Sequence, residues 1–253
     1  MPITVKSSRE IELMTEAGRI LEIVHKELEK ALHPGMTTKA IDRLGEEIIR
    51  SYGCIPSFLD YNGYPASICV SVNDEVVHGI PSEHRIIREG DIVSLDAGVI
   101  YKGYHSDAAR THCVGEVSKE AQDLVRVTRE CFFEGIKYAK EGNHLFDISG
   151  AIGRYAKERG YGVVRDLCGH GIGTALHEAP EIPNYEMKRK GALLKAGMTL
   201  AIEPMINIGG WEVDWMDDDW TVVTRDHSLS AHYENTVLIT ENEPKLLSLT
   251  EGI

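Results

Sequence analysis

Four carboxylates and one histidine stand in positions that ordinary packing does not explain. Asp96 closes the nearly all-apolar run Gly90-Asp-Ile-Val-Ser-Leu-Asp96, a costly place for a charge without a partner. Asp107 follows eleven residues later in His105-Ser106-Asp107-Ala108-Ala109-Arg110. Glu203 ends a second apolar run, Gly197-Met-Thr-Leu-Ala-Ile-Glu203, and Glu234 lies in His232-Tyr233-Glu234-Asn235-Thr236-Val237. If these four share one pocket, they cannot all stay ionised unaided. Two like charges ~4 Å apart repel by about 4 kcal/mol even at an effective dielectric of about 20. Two divalent cations would balance them, with a water between as the nucleophile and an ion separation of about 3.5–4 Å. His170, in Cys168-Gly169-His170-Gly171-Ile172-Gly173, is the candidate nitrogen ligand, since flanking glycines let the backbone come close. One imidazole among oxygen ligands suits Mn, Fe(II), Co or Zn better than Ca.

The elements that must carry these residues repeat. Ser7-Ser8-Arg9-Glu10 reads as a capping box, and Ile11, Met14, Gly18, Leu21, Val24, Leu28 and Leu32 then recur at helical spacing until His33-Pro34-Gly35. A second helix is expected from Thr37 to Tyr52, then strands at Ser67 to Val72, Asp91 to Leu95 and Ala109 to Val114. The order recurs with helices at Ser118 to Lys140 and Leu145 to Arg159 and a strand at Met198 to Ile202. Landmarks keep an offset of 107 residues: Gly35 to Gly142, Gly53 to Gly160, Gly90 to Gly197, Asp96 to Glu203. A duplicated α+β unit follows, with halves of about 1–116 and 117–253 fused into a single catalytic domain, each offering two carboxylates to the shared centre. The second half carries extra residues from about Ile208 to Thr224, rich in Trp and Asp. The acids Asp214, Asp217, Asp218 and Asp219 read as a solvated loop rim.

Composition narrows the class. The 253 residues carry 27 Lys and Arg against 40 Asp and Glu, a formal charge of −13, which disfavours direct nucleic-acid binding. Hydrophobic residues at 42% and charged residues at 26% are those of a soluble globular chain. Five cysteines without a C-x-x-C pair argue against disulfides or a thiolate zinc site. No export signal or bilayer-length apolar run is present. A reduced, cytoplasmic, monomeric protein is expected, with no membrane contact.

Taken together, Asp96 with Asp107, Gly-His170-Gly-Ile-Gly, Ala-Ile-Glu203-Pro and His-Tyr-Glu234-Asn-Thr resemble the type I methionine aminopeptidases of bacterial type. The resemblance covers essentially the whole chain. It implies the pita-bread fold: two pseudo-twofold-related halves with a central curved antiparallel sheet covered by helices. It implies two divalent metal ions, one held by Asp96, Asp107 and Glu234, the other by Asp107, His170, Glu203 and Glu234. It also implies that His78 contacts the scissile amide, that His177 stabilises the tetrahedral oxyanion, and that Glu203 moves the water proton to the leaving amine. By the same resemblance a slim methionine pocket is lined by Phe58, Tyr61, Tyr64, Cys69, Leu176 and Trp220. Phe58 and Leu176 depart from the cysteine and phenylalanine usual in familiar members.

The implied reaction is removal of the initiator methionine when the second residue is small. The implied partners are the N-terminal methionine of nascent peptides and the ribosome surface near the exit tunnel. The 31 residues from Glu203 to Glu234 leave no room for the helical insertion of type II members, and the chain begins just before its first helix. His105 and His232 are expected to support the neighbouring ligands; His25, His33, His84, His112 and His227 are read as structural. Two other readings stand beside this one: a proline-directed relative of the same fold, and a non-catalytic pita-bread protein that binds partners.

Overall fold

The computed structural model describes residues 2–249. The outer bounds of the domain expected over 1–253, Met1 and residues 250–253, lie outside the described residues. The first half begins with α1 (Ser8–Ala31) and α2 (Thr38–Ser51), followed by β1 (Ile55–Pro56), a 3-10 turn (Tyr61–Gly63), β2 (Ile68–Val72), β3 (Glu75–Val77), β4 (Ile92–Tyr101) and β5 (Tyr104–Cys113). The second half begins with α3 (Lys119–Ile136) and α4 (Leu145–Glu158). Short strands follow: β6 (Gly162–Val163), β7 (Gly169–Gly171), β8 (Glu178–Ile182), β9 (Thr199–Ile202) and β10 (Met205–Asn207). The chain then runs through β11 (Val213–Trp215), β12 (Val222–Thr224), β13 (Ser230–His232), β14 (Asn235–Leu238) and β15 (Lys245–Leu246).

Local chemistry sets the helix ends. The Ser7 hydroxyl accepts from the Glu10 N–H while the Glu10 carboxylate accepts from the Ser7 N–H at 2.7 Å, so two otherwise unpaired donors are satisfied. α1 buries Met14, Ala17, Leu21, Val24 and Leu28; of these Leu21, Val24 and Leu28 join Ile41 and Ile49 of α2 in packing on Val70, Leu95 and Val99. The second half repeats this: Leu124 and Phe132 of α3 and Ile148 and Ile152 of α4 cover Leu200, Ile202 and Val237. Each such fully buried side chain contributes about 1.5–3 kcal/mol.

Two antiparallel sheets carry the site. In the first, β4 pairs with β1, β2 and β5; in the second, the order is β15-β14-β9-β7-β8. They meet where Ala109 of β5 and Glu234 exchange backbone hydrogen bonds, at 3.0 and 3.4 Å. Two three-stranded sheets, β13-β10-β6 and β11-β12-β3, complete the layer. The glycines 107 residues apart adopt matching left-handed conformations: φ is 94° and 88° at Gly35 and Gly142, and 91° at both Gly90 and Gly197.

Two expected boundaries move. Asp96 does not end its strand: β4 continues to Tyr101 and turns through Lys102 and Gly103, both at positive φ, into β5. That two-residue turn matches the twist of a hairpin, and it places Asp107 well inside β5 rather than at its start. Asp96 is tolerated mid-strand because the opposing strand brings Asp107 to its face, which a reading of local hydropathy cannot see. α3 stops at Ile136, four residues before the expected Lys140.

Candidate metal centre

Strand register assembles the carboxylates. Asp96 lies opposite Ala109 and Gly98 opposite Asp107, so the two acids are diagonal neighbours on one face of the β4–β5 hairpin. In the other sheet, Asn235 pairs with Ile202, which sets Glu234 and Glu203 beside each other at the ends of β14 and β9. Pro204, which has no N–H to offer the ladder, follows Glu203 and ends β9 there. His170 of β7 pairs with Ala201 of β9, one strand further along.

The side chains converge at close range. His170 Nε2 lies 3.9 Å from Asp107 Oδ2 and 3.5 Å from Glu203 Oε1. His232 Nε2 lies 3.6 Å from Glu203 Oε2 and 3.9 Å from Glu234 Oε2. Two groups are compact enough for an ion: Asp107, His170 and Glu234, and Glu203, His232 and Glu234. Asp96 lies outside both triplets but lines the same cavity. His232, expected only as support, thus reaches the cluster itself; its position two residues before Glu234, on the same face of an extended chain, was the available signal.

Burial and mutual repulsion push these acids toward protonation. Burial, opposed by His232 and helped by Glu203, raises Asp96 to about 7. Burial, then Asp96 and Glu203, holds Asp107 well above the usual carboxylate range. Burial likewise raises Glu203, and burial with Asp107, Glu203 and Asp96 raises Glu234. The imidazoles are held neutral, which is the ligand form: burial, reinforced by His177, brings His170 down to about 3. Asp96 Oδ1, Asp107 Oδ1 and Glu234 Oε1 are buried without a hydrogen-bond donor among the protein atoms. Buried carboxylate oxygens that lack protein donors, gathered around neutral imidazoles, fit divalent cations.

Neighbours hold the ligands in place. The Thr236 hydroxyl accepts from the Asp107 N–H at 2.8 Å and donates to its carbonyl at 2.9 Å. The Arg110 guanidinium donates to the Glu234 carbonyl, and Asn184 Nδ2 donates to the Glu203 carbonyl at 2.9 Å. These three were not singled out from the sequence, and no local pattern marks them. The ring of His170 also has its Nδ1 2.9 Å from the carbonyl of Gly171, which leaves Nε2 facing the carboxylates.

A cavity of 210 Å³ opens on the cluster. All five expected ligands line it, with His78, His177, Phe58, Tyr61, Tyr64, Cys69, Leu176 and Trp220; Asn62 is an addition. The Tyr64 ring meets Trp220 edge-on at 5.1 Å, and the Tyr64 hydroxyl donates to the Gly79 carbonyl at 3.0 Å. Gly98 makes room for Phe58, since a Cβ there would lie 2.9 Å from the Phe58 ring. The His177 ring lies 4.2 Å from that of His170, and its Nδ1 is 2.7 Å from the Tyr61 hydroxyl. His78, at φ 59°, is brought down to about 4 by burial, His232 and His177. Larger cavities lie beside His25 and Arg110 (280 Å³) and along Arg154 and Trp211 (480 Å³); their carboxylates, Glu22 and Glu29 in the first and Glu186 in the second, belong to no compact ligand group among the described residues.

Several other polar residues have partners outside the cluster. His105 Nδ1 meets the Ser57 hydroxyl at 3.0 Å, behind Phe58, and His25 Nε2 donates to the Ala108 carbonyl at 2.9 Å. Asp218 accepts from the Trp220 and Thr221 N–H groups, at 2.9 and 2.8 Å, and so shapes the turn that presents Trp220. Asp214 pairs with Arg225 at 2.9 Å. Among the described residues no compact ligand group includes any acid of that loop.

A model of metallopeptidase family M24 matches residues 12–241. The chain belongs to metallopeptidase family M24. This M24 chain is 54% identical over 249 residues to the methionine aminopeptidase of Clostridium acetobutylicum, covering 98% of the chain and 100% of that protein. Among solved structures, the methionine aminopeptidase of Thermotoga maritima is similar with a TM-score of 0.96 at 45% identity, over 98% of this chain and 99% of that one. The Xaa-Pro dipeptidase of Bacillus anthracis shares the fold at lower likeness: TM-score 0.79, 25% identity, 98% of this chain but 63% of that one. The α+β pita-bread architecture is thus common to both groups of relatives. Among the described residues no helix is long and apolar enough to cross a membrane.

Proposed function

We infer that this M24 metallopeptidase is a methionine aminopeptidase, removing the initiator methionine from nascent chains whose second residue is small. The observation that carries the reading is the joining of three buried carboxylates, the partly buried Glu203 and His170 to a narrow, aromatic-walled cavity. Asp96, Asp107, His170, Glu203 and Glu234 would hold two divalent cations (Co, Mn, Fe(II) or Zn). When bound, such ions supply Lewis-acid polarisation of the scissile carbonyl and lower the pKa of the attacking water.

The protein groups do the rest. Glu203, raised by burial, is suited to take the proton of the attacking water and hand it to the leaving amine. Tyr61 donates its hydroxyl proton to His177 Nδ1, which places the imidazole proton on Nε2 as a donor for the developing oxyanion. Neutral His78 contacts the scissile amide. Tyr64, Cys69 and Trp220, with Phe58 and Leu176, form a slim apolar slot for an unbranched thioether side chain. The two halves act as a single catalytic domain, a cytoplasmic monomer meeting its substrates at the ribosome surface near the exit tunnel.

The test is hydrolysis of Met-Ala-Ser, Met-Leu-Ser and Leu-Ala-Ser by chelator-treated enzyme reloaded with Mn or Co. Methionine release from Met-Ala-Ser alone is expected. Cleavage of an Xaa-Pro peptide instead would transfer the chain to the proline-directed branch of the fold. No cleavage with any metal would leave the non-catalytic reading.

A further inference from the structure

The segment ahead of α1 is bound to the loop that carries His177. Residues 172–177 join β7 to β8, presenting Leu176 to the cavity and His177 to His170. Glu178, the first residue of β8, has a side chain only 9% exposed, and Lys6 is 4% exposed. Glu178 Oε2 accepts from Lys6 Nζ at 2.6 Å and from the Thr4 hydroxyl at 2.8 Å. Its Oε1 accepts from the Ala175 N–H inside the loop at 3.3 Å. The Lys6 N–H donates to the Gly197 carbonyl at 2.8 Å, fixing this segment to the turn before β9. A Cβ on Gly173 would lie 2.5 Å from Lys6 Cε, so the loop backbone rests on the lysine stem.

A buried ion pair gains little over apolar packing of the same volume, because both ions lose their hydration. Its use here is geometric: one carboxylate links an N-terminal cation to the N–H of Ala175, two residues from His177. Among the described residues 2–7 none lines the cavity itself, so the influence of this segment passes through the loop.

We propose that Lys6, assisted by Thr4, is a positioning residue for the hydrolytic reaction, acting through Glu178 to hold the 172–177 loop so that His177 and Leu176 face the metal centre. This rests on the reading of His177 as the oxyanion donor. Lys6 touches no substrate atom; its effect passes through the loop.

The experiment is a double-mutant comparison on metal-loaded enzyme with Met-Ala-Ser. In the otherwise wild-type enzyme Lys6→Met is expected to lower kcat about tenfold or more, with KM changed less than about threefold. In a His177→Ala background the same substitution is expected to cost less than about twofold, since residues acting as a unit are non-additive. Thr4→Val, a milder change on an exposed hydroxyl, is expected to follow the same pattern at about threefold and serves if Lys6→Met does not fold. Amide exchange of the 172–178 segment should rise in Lys6→Met while that of α3 stays unchanged. Equal losses in both backgrounds, no loss in either, or unchanged exchange in the loop would overturn the proposal. A wild-type enzyme that releases no methionine would strike the function reading alone, because the exchange measurement decides the Lys6–loop coupling without turnover.

Discussion

The Tyr61 hydroxyl lies 2.7 Å from His177 Nδ1, and in the proposed mechanism it sets which ring nitrogen carries the proton. The Tyr61 phenol, its pKa raised by burial, stays protonated and can donate to Nδ1. Tyr61→Phe keeps the ring against the cavity and removes the donor. A hydrogen bond of this kind contributes about 0.5–1.5 kcal/mol, so kcat should fall roughly 3–10-fold while KM holds. His177→Ala removes the oxyanion donor itself, and a loss of about 10²–10³ in kcat is expected. Steady-state rates on Met-Ala-Ser check both; unchanged turnover in His177→Ala would remove it from the mechanism. Tyr61 and His177 were named through the resemblance, whereas the four acids and glycine-flanked His170 were legible from type and spacing. Asn184 and Thr236 were harder: their partners lie away in sequence, as in the Thr236–Asp107 bond across 129 residues.

At the scale of elements, α1 shows how packing overrides propensity. Gly18 sits mid-helix, where alanine is favoured by about 1 kcal/mol. Yet a Cβ there would lie 2.1 Å from the Leu247 carbonyl oxygen, on backbone that cannot move aside cheaply. Overpacking costs about 1–3 kcal/mol, so Gly18→Ala should lower the melting temperature rather than raise it. Thermal unfolding of the variant tests this, and a stabilised protein would show that the 247–248 segment yields. The helices themselves were readable from caps and 3.6-residue periodicity. The β4–β5 hairpin was not, because a charged residue inside a strand ends a local pattern unless its partner across the sheet is known.

The whole molecule titrates through its centre. In metal-free protein the four raised carboxylates bind protons more tightly folded than unfolded, so their contribution is present at low pH and lost as pH rises through their folded values. Buried His25, His78, His105, His170 and His232 are depressed by burial first; they oppose this trend, but only below the unfolded histidine value of about 6.5. Above that their opposition is gone. Asp96 has given up its share by about pH 7, and above about pH 6.5 the chelated protein should go on losing thermal stability while Asp107, Glu203 and Glu234, held well above the usual carboxylate range, keep protons that the unfolded chain has released. Loading with Mn or Co should raise stability most at the alkaline end, since metals bind the ionised forms. A chelated protein whose melting temperature stays level or climbs over that range would contradict the protonation of the cluster.

Residue type and spacing by themselves determined the class of chemistry, the five ligand candidates, the capped helices and the 107-residue repeat. Each of these is a property of neighbouring residues or of a fixed offset, and needs no contact to be seen. Tertiary structure alone decided that Asp96 sits mid-strand, that His232 reaches Glu203, that Tyr61 orients His177 across 116 residues, and that Lys6 grips Glu178 across 172. Such contacts depend on how two sheets and a leading segment pack together, and the free energy of a pairing carries no mark in the local sequence of either partner.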